Sequence, residues 1–110
     1  MGTYAGYYQG NGTANTYVGD SAGRGFGLSV ATSNSGNTGI GGNALYTITT
    51  GGHNTAVGSN AGSNITTGTY NVLVGKEAGQ YVFKTSYSTH IGGGAGRYAS
   101  GSSNTFMGYQ

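Results

Sequence analysis

Asn54-Thr55-Ala56-Val57-Gly58-Ser59-Asn60-Ala61-Gly62-Ser63-Asn64-Ile65-Thr66-Thr67-Gly68 is the stretch whose reading decides the fold. Its opening pentapeptide, Asn-Thr-x-(Val/Ile)-Gly, recurs along the chain. It stands at Asn15-Thr16-Tyr17-Val18-Gly19 and at Asn37-Thr38-Gly39-Ile40-Gly41. With drift it returns as Asn71-Val72-Leu73-Val74-Gly75, Ser88-Thr89-His90-Ile91-Gly92 and Asn104-Thr105-Phe106-Met107-Gly108, and Gly2-Thr3-Tyr4-Ala5-Gly6 reads as a degenerate further copy. The starts lie 13, 22, 17, 17, 17 and 16 residues apart. Equal spacings in the middle with variation at the ends are the pattern of a stacked array with variable loops.

Outward from the pentapeptide the register continues. Three residues after the Gly comes Ala, at Ala22, Ala44, Ala61, Ala78 and Ala95, and four residues later an aliphatic, at Ile48, Ile65 and Val82. The unit is therefore N-T-x-φ-G-x-x-A-G-x-x-φ-T-T-G-x-x, about 17 residues long. Thr and Val/Ile two apart make a short strand with one repeated face and one variable face. Because the repeated positions are the invariant ones, they are expected to point inward, with Tyr17, Ala56, His90 and Phe106 outward. Gly after the strand permits a bend, Ala fits a crowded corner, and Asn suits a turn or a rung-to-rung ladder of amides. No rung can bury its own apolar face, so rungs stack. The expectation is all-β: a parallel β-solenoid or β-roll of about seven such repeats, one repeat domain over 1–110.

Composition agrees. Gly contributes 25 of 110 residues, and Thr, Ser and Asn another 36, all mediocre or poor helix formers. The absence of Pro and of a Gly-X-Y period excludes collagen. Only Asp20, Arg24, Lys76, Glu77, Lys84 and Arg97 are charged; scattered as they are, with net charge +2, they make no phosphate-tracking stripe, so nucleic acid is not an expected partner. No apolar run is long enough for a membrane span, so no membrane insertion is expected.

Each regular rung offers one branched strand residue, one Ala and one Ile or Val, which is thin for a close-packed interior. Three chains pooling their faces would remove the shortage. The reading is a homotrimer in which Val18, Ile40, Val57, Val74, Ile91 and Met107 form one axial core stripe, with Ala22, Ala44, Ala61, Ala78 and Ala95 at tight corners; a single-chain solenoid packed tightly by Ala and Gly is the alternative. The long Asn15–Asn37 interval is expected to spend its extra residues in a loop around Phe26 to Ser35.

The NTx(V/I)GxxAG units resemble the repeats of phage tail-fibre and tailspike-like proteins and of trimeric bacterial surface proteins. They are also similar to the head repeats of trimeric autotransporter adhesins, a left-handed parallel β-roll. The matching positions are Thr16/Val18, Thr38/Ile40, Thr55/Val57, Val72/Val74, Thr89/Ile91 and Thr105/Met107. Unit length and the Thr at the first strand position depart from the autotransporter motif and favour the fibre-type relatives. The resemblance implies a rigid extracellular shaft, on a virion tail fibre or a bacterial cell surface, that supports attachment to a glycan or protein receptor. The chain begins and ends inside the repeat, so it is expected to be part of a longer fibre or a subunit stacking end to end.

Chemistry-bearing constellations are sparse. His53 and His90 occupy different unit positions, and with no Cys they suggest no metal set. Asp20 stands alone, unlike the recurring Asp of calcium-binding β-rolls. Asp20 and Glu77 lie about three rungs apart, too far to serve as paired carboxylates. Neither catalysis nor a cofactor is expected. Tyr17, on the strand, and Tyr70 and Tyr87, at equivalent unit ends, are candidate surface contacts, as aromatic rings suit sugar or protein recognition. The rival class is an ice-binding β-solenoid, which needs rows of outward Thr on a flat sheet. The inward Thr expected here argues against it.

Overall fold

The computed structural model describes residues 2–27 and 34–110, which form a parallel β-solenoid with no helix among them. Six three-residue strands make one sheet in chain order: β1 (Thr16–Val18), β2 (Thr38–Ile40), β3 (Thr55–Val57), β4 (Val72–Val74), β5 (Thr89–Ile91) and β6 (Thr105–Met107). All neighbours are parallel, and the register aligns Thr16, Thr38, Thr55, Val72, Thr89 and Thr105 in one column. Such strands are too short to persist alone. Hydrogen bonds between successive rungs hold the turns as well, as from Leu45 N–H to the Ala61 carbonyl (3.0 Å) and from Gly79 N–H to the Ala95 carbonyl (3.0 Å).

A column of buried asparagines sets the rung spacing. The backbone N–H of Asn37 donates to Asn15 Oδ1 (2.9 Å), that of Asn54 to Asn37 Oδ1 (3.0 Å), and that of Asn71 to Asn54 Oδ1 (3.0 Å). Each side-chain amide also reaches the turn that leads into the next rung: Asn37 Nδ2 to the Gly51 carbonyl (2.9 Å), Asn54 Nδ2 to Gly68 (2.8 Å) and Asn71 Nδ2 to Thr85 (2.6 Å). These amides are wholly buried and fully engaged, as buried polar groups must be.

Alternation then determines which strand residues are inside. With Asn inward, the next residue points out and the one after points in. The structure accordingly reverses the expected faces. Gly39, Ala56, Leu73 and His90 are buried, whereas Val18, Ile40, Val72 and Ile91 are about two-fifths exposed (39%, 41%, 39% and 38%) and Met107 is 74% exposed. The variable position is the interior one, and its size is balanced by the corner behind Ala or, at Ala56 and Gly62, by Leu45 and Leu73 of the adjacent rungs. Leu73 and His90 face Gly79 and Gly96, while Gly39 in β2 is matched by Leu45 at the corner, also buried. A Cβ on Gly23 would lie 2.1 Å from the Tyr17 ring, and one on Gly96 would lie 2.5 Å from His90 Nδ1. Ala22, Ala44, Ala61 and Ala78 are fully buried, and Ala95 is 3% exposed. Ile48, Ile65 and Val82 complete an apolar interior enclosed by one chain, so the thin-core reason for pooling three chains does not hold. The variable strand residues and Leu45 supply the volume that the repeated positions alone lack.

The Gly that ends each strand is required where it stands. Gly41, Gly58, Gly75 and Gly92 take φ of 127° to 132°, and a Cβ on any of them would lie 2.3 to 2.7 Å from the backbone of the next Gly in the column. The loop expected around Phe26 to Ser35 lies largely outside the described residues. Asn34 is already back in register: its carbonyl accepts from Asn15 Nδ2 (3.0 Å), as Gly51 and Gly68 do from Asn37 and Asn54.

Two outcomes follow. Asn54→Ala leaves buried groups unpaired at Asn71 and Gly68 and should cost about 2–4 kcal/mol in denaturant unfolding, at ~1–3 kcal/mol per orphaned group. Leu73→Gly and Gly79→Leu should each destabilise by about 2–4 kcal/mol, but combined they reproduce the Gly39/Leu45 rung. A double-mutant cycle should therefore show favourable coupling of about 1–3 kcal/mol. Simple additivity would refute the volume exchange.

Candidate functional site

The parity set by asparagine turns the repeated positions into a surface. One outward column is Thr16, Thr38, Thr55, Val72, Thr89 and Thr105; the other is Val18, Ile40, Val57, Val74, Ile91 and Met107. Within a rung the two columns are about 6.6 Å apart, and rungs repeat at about 4.8 Å. No strand residue is Asp, Glu, Lys or Arg. The face is thus an in-register lattice of hydroxyls beside branched aliphatics, without charge. Val57 and Val74 are half-buried by their neighbours and the remaining stripe residues are exposed.

Tyr17 is not on this surface. Its ring fills the interior slot of the first rung, and its hydroxyl lies 3.3 Å from Gln9 Oε1 and 3.2 Å from Asn34 Oδ1. Burial pushes its phenol well above the usual range. Tyr70 and Tyr87 are exposed at equivalent places, as expected, but they stack on each other (5.3 Å, 6°), and Tyr70 stacks on His53 (4.8 Å, 12°). All three take left-handed φ of 56° to 58°. In such a ladder each inner ring face is covered by the next ring, so the ladder offers edges and hydroxyls rather than open faces. A sugar that stacks on an aromatic face would find only the outermost faces free.

A second edge carries features that sequence reasoning missed. Arg97 lies over Tyr81 and Tyr98 (5.3 and 5.5 Å), which stack together at 5.0 Å, and it bonds Glu77 (3.0 Å) and Gln80 (2.9 Å). Arg24 is ringed by Tyr4, Tyr8 and Tyr46 at 5.5 to 5.6 Å. The available signal was Ala-Gly-Arg, which occurs twice in the same register, at Ala22-Gly23-Arg24 and Ala95-Gly96-Arg97. Both guanidiniums are held by partners of their own chain and rivet adjacent turns together.

His53 and His90 are not brought together: one is in the surface ladder and the other in the interior. Among the described residues no three His, Cys, Asp or Glu side chains cluster as metal ligands, and no helix is long and apolar enough to cross a membrane. Comparison with protein-family models, curated proteins and solved structures finds no match. What fold and surface define is a parallel β-solenoid with an uncharged outer sheet, edged on its flanks by aromatic ladders.

Removing the central ladder ring tests its structural weight. Tyr70→Ala breaks two stacked contacts and should lower unfolding stability by about 1–2 kcal/mol. Tyr70→Gly should cost less in the same measurement, because glycine adopts φ of 57° without strain.

Proposed function

We propose that the chain is part of the structural shaft of an extracellular homotrimeric fibre, built from about seven of these repeats, with the outward Val/Ile column as the seam around the three-fold axis. A phage tail fibre is the first reading; a bacterial adhesin or end-to-end cell-surface filament is the variant of the same class. The observation that carries it is the exposed stripe itself. Branched side chains stand at five of its six positions with Met107 at the last, on a face whose strands bear no charge to oppose a second copy. Each further rung adds two more outward side chains, so such a seam grows with shaft length. The support differs from a shared core: the chain closes its own interior, and association covers a second, outer apolar surface. On the flanks, the aromatic ladders would stay exposed in a trimer and repeat three times around the axis. That makes weak glycan or protein contacts multivalent.

One observation favours the ice-binding reading. Thr16, Thr38, Thr55, Thr89 and Thr105 point outward in register, interrupted only by Val72. That is the arrangement ordered water would need, and the inward Thr that argued against it is not found.

Light scattering under native conditions separates the two. The shaft reading expects about three chain masses for the wild type and a monomer for Val57→Asp, which places three like charges near the axis. Because Val57 faces outward, the separated Val57→Asp chain should remain folded, with its own stability changed by less than about 1 kcal/mol. A wild-type monomer showing thermal hysteresis that Thr55→Tyr abolishes would overturn the shaft and establish the ice face.

A further inference from the structure

The asparagine column weakens at one rung, and the same rung holds the one interior histidine. Side-chain amides bridge successive rungs from Asn54 Nδ2 to Asn37 Oδ1 (3.1 Å) and from Asn71 Nδ2 to Asn54 Oδ1 (2.9 Å). Ser88 stands next in the column. Its backbone N–H still donates to Asn71 Oδ1 (3.0 Å), and its Oγ accepts from the Asn104 N–H (3.1 Å). Having no amide, it makes neither the bridge back to Asn71 nor the strut to the turn leading into the next rung. Asn104 turns its Nδ2 to the carbonyls of Ser100 and Gly101 in its own loop (3.2 Å each). The amide-donor half of the ladder therefore stops at Asn71, and residues 88–110 are joined to the body of the solenoid by its acceptor half, by backbone bonds and by Arg97.

Two residues further on, His90 takes the interior slot that Leu73 and Ala56 fill in the rungs before it. It is fully buried, and neither Nδ1 nor Nε2 has a hydrogen-bond partner within the chain. Packed around it are Leu73 of β4, the Phe106 ring of β6 (5.1 Å, edge-on) and the backbone at Gly79 and Gly96. The charged groups on the flanking turns are Lys76, Glu77, Lys84 and Arg97. Glu77 is held by Arg97 at 3.0 Å and approached by Lys76 at 3.8 Å. Tyr81 and Tyr98, the titratable side chains nearby on those turns, stack on each other. None of these groups bonds the imidazole, so a proton placed on it has no counter-charge in contact.

We infer that the Ser88–His90 rung is an acid-sensitive opening point, at which residues 88–110 come away from the rest of the solenoid as the pH falls below that of neutral solution. A neutral imidazole fits the slot as an apolar ring; an imidazolium must leave it to be solvated. Burial lowers the affinity of His90 for a proton in the closed form. The open form, with its imidazole in water, titrates at about 6.5. The closed form is thus fully favoured above that value and loses ground as the pH falls, because the open form then binds more protons. Opening of this kind is local rather than global, since the rungs from Asn37 to Thr85 keep their amide struts. The inference concerns one chain and does not depend on its assembly.

Hydrogen exchange at pH 7.5 and 5.0, expressed as protection relative to the intrinsic rate at each pH, tests it on the whole chain. The amides of Gly79 and Gly92, which donate to Ala95 and Val74 across the opening, should lose protection at least tenfold at pH 5.0. Those of Thr55 and Gly58, which donate to Asn71 and Ile40, should hold theirs. His90→Leu, copying Leu73, or His90→Ala, copying Ala56, should remove the pH effect. Ser88→Asn should raise protection of the segment at both pH values while leaving the acid-induced drop in place. Equal protection at both pH values in the wild type, loss spread evenly over all six strands, or a drop that survives in the His90 variants would each overturn the inference.

Discussion

The side-chain amides of Asn37, Asn54 and Asn71 are the constraint on which the rest of this structure depends. An amide supplies an acceptor for the next rung's backbone and two donors, one for the previous rung and one for the turn that leads into the next. Short parallel strands cannot supply that tie between turns. With strands of three residues, most backbone groups sit in turns, where an orphaned buried N–H or C=O would be costly. The amide column answers this at the same depth in each of these coils. It also locks the turn stacks, so the strands inherit their register from the asparagines beside them.

Once the amides are inside, little freedom remains. Alternation forces Thr and Val/Ile outward and leaves one strand residue per rung to fill the interior. That residue need not be the same each time, because the corner after Ala adjusts to it: a large strand residue meets Gly, and Gly39 meets Leu45. The Leu45 backbone takes φ of 53°, a conformation that costs a non-glycine residue about 1–2 kcal/mol, and burial of the side chain offsets it. Where both are small, as at Ala56 and Gly62, Leu45 and Leu73 of the adjacent rungs take up the space, so interior volume is shared between neighbours while identity at each position varies.

This explains how much could be read from the chain and where the reading failed. Repeat length, the short strands, their parallel stacking and the tight alanine corners were legible, since each follows from periodicity and residue size. The inside and outside of the sheet were not, because repetition is an ambiguous mark of a core. Here the outward Thr and Val/Ile recur and the inward residue varies among Tyr, Gly, Ala, Leu, His and Phe. A decisive signal was nonetheless present. Asn and Thr are adjacent in the unit, so a buried amide ladder and an inward Thr are mutually exclusive. Choosing the ladder would have turned the sheet the right way. The same inversion misplaced Tyr17, whose ring lies within the first rung rather than on the surface.

The parity also separates two problems that a thin solenoid is usually thought to solve together. The interior of this chain is closed by residues that alternate with the repeated ones. The repeated Thr and Val/Ile are thereby released from core packing. What keeps them periodic is then to be sought in what the outer face contacts. An aqueous surface free of any such demand would tolerate Lys, Glu or Ser at these positions with little loss. Instead the six rungs keep one hydroxyl or methyl-bearing side chain and one aliphatic each, Val72 and Met107 being conservative departures. A partner that is itself periodic at the rung spacing, such as another copy of the same sheet or an ordered lattice of water, is the kind of surface against which such regularity has a physical use.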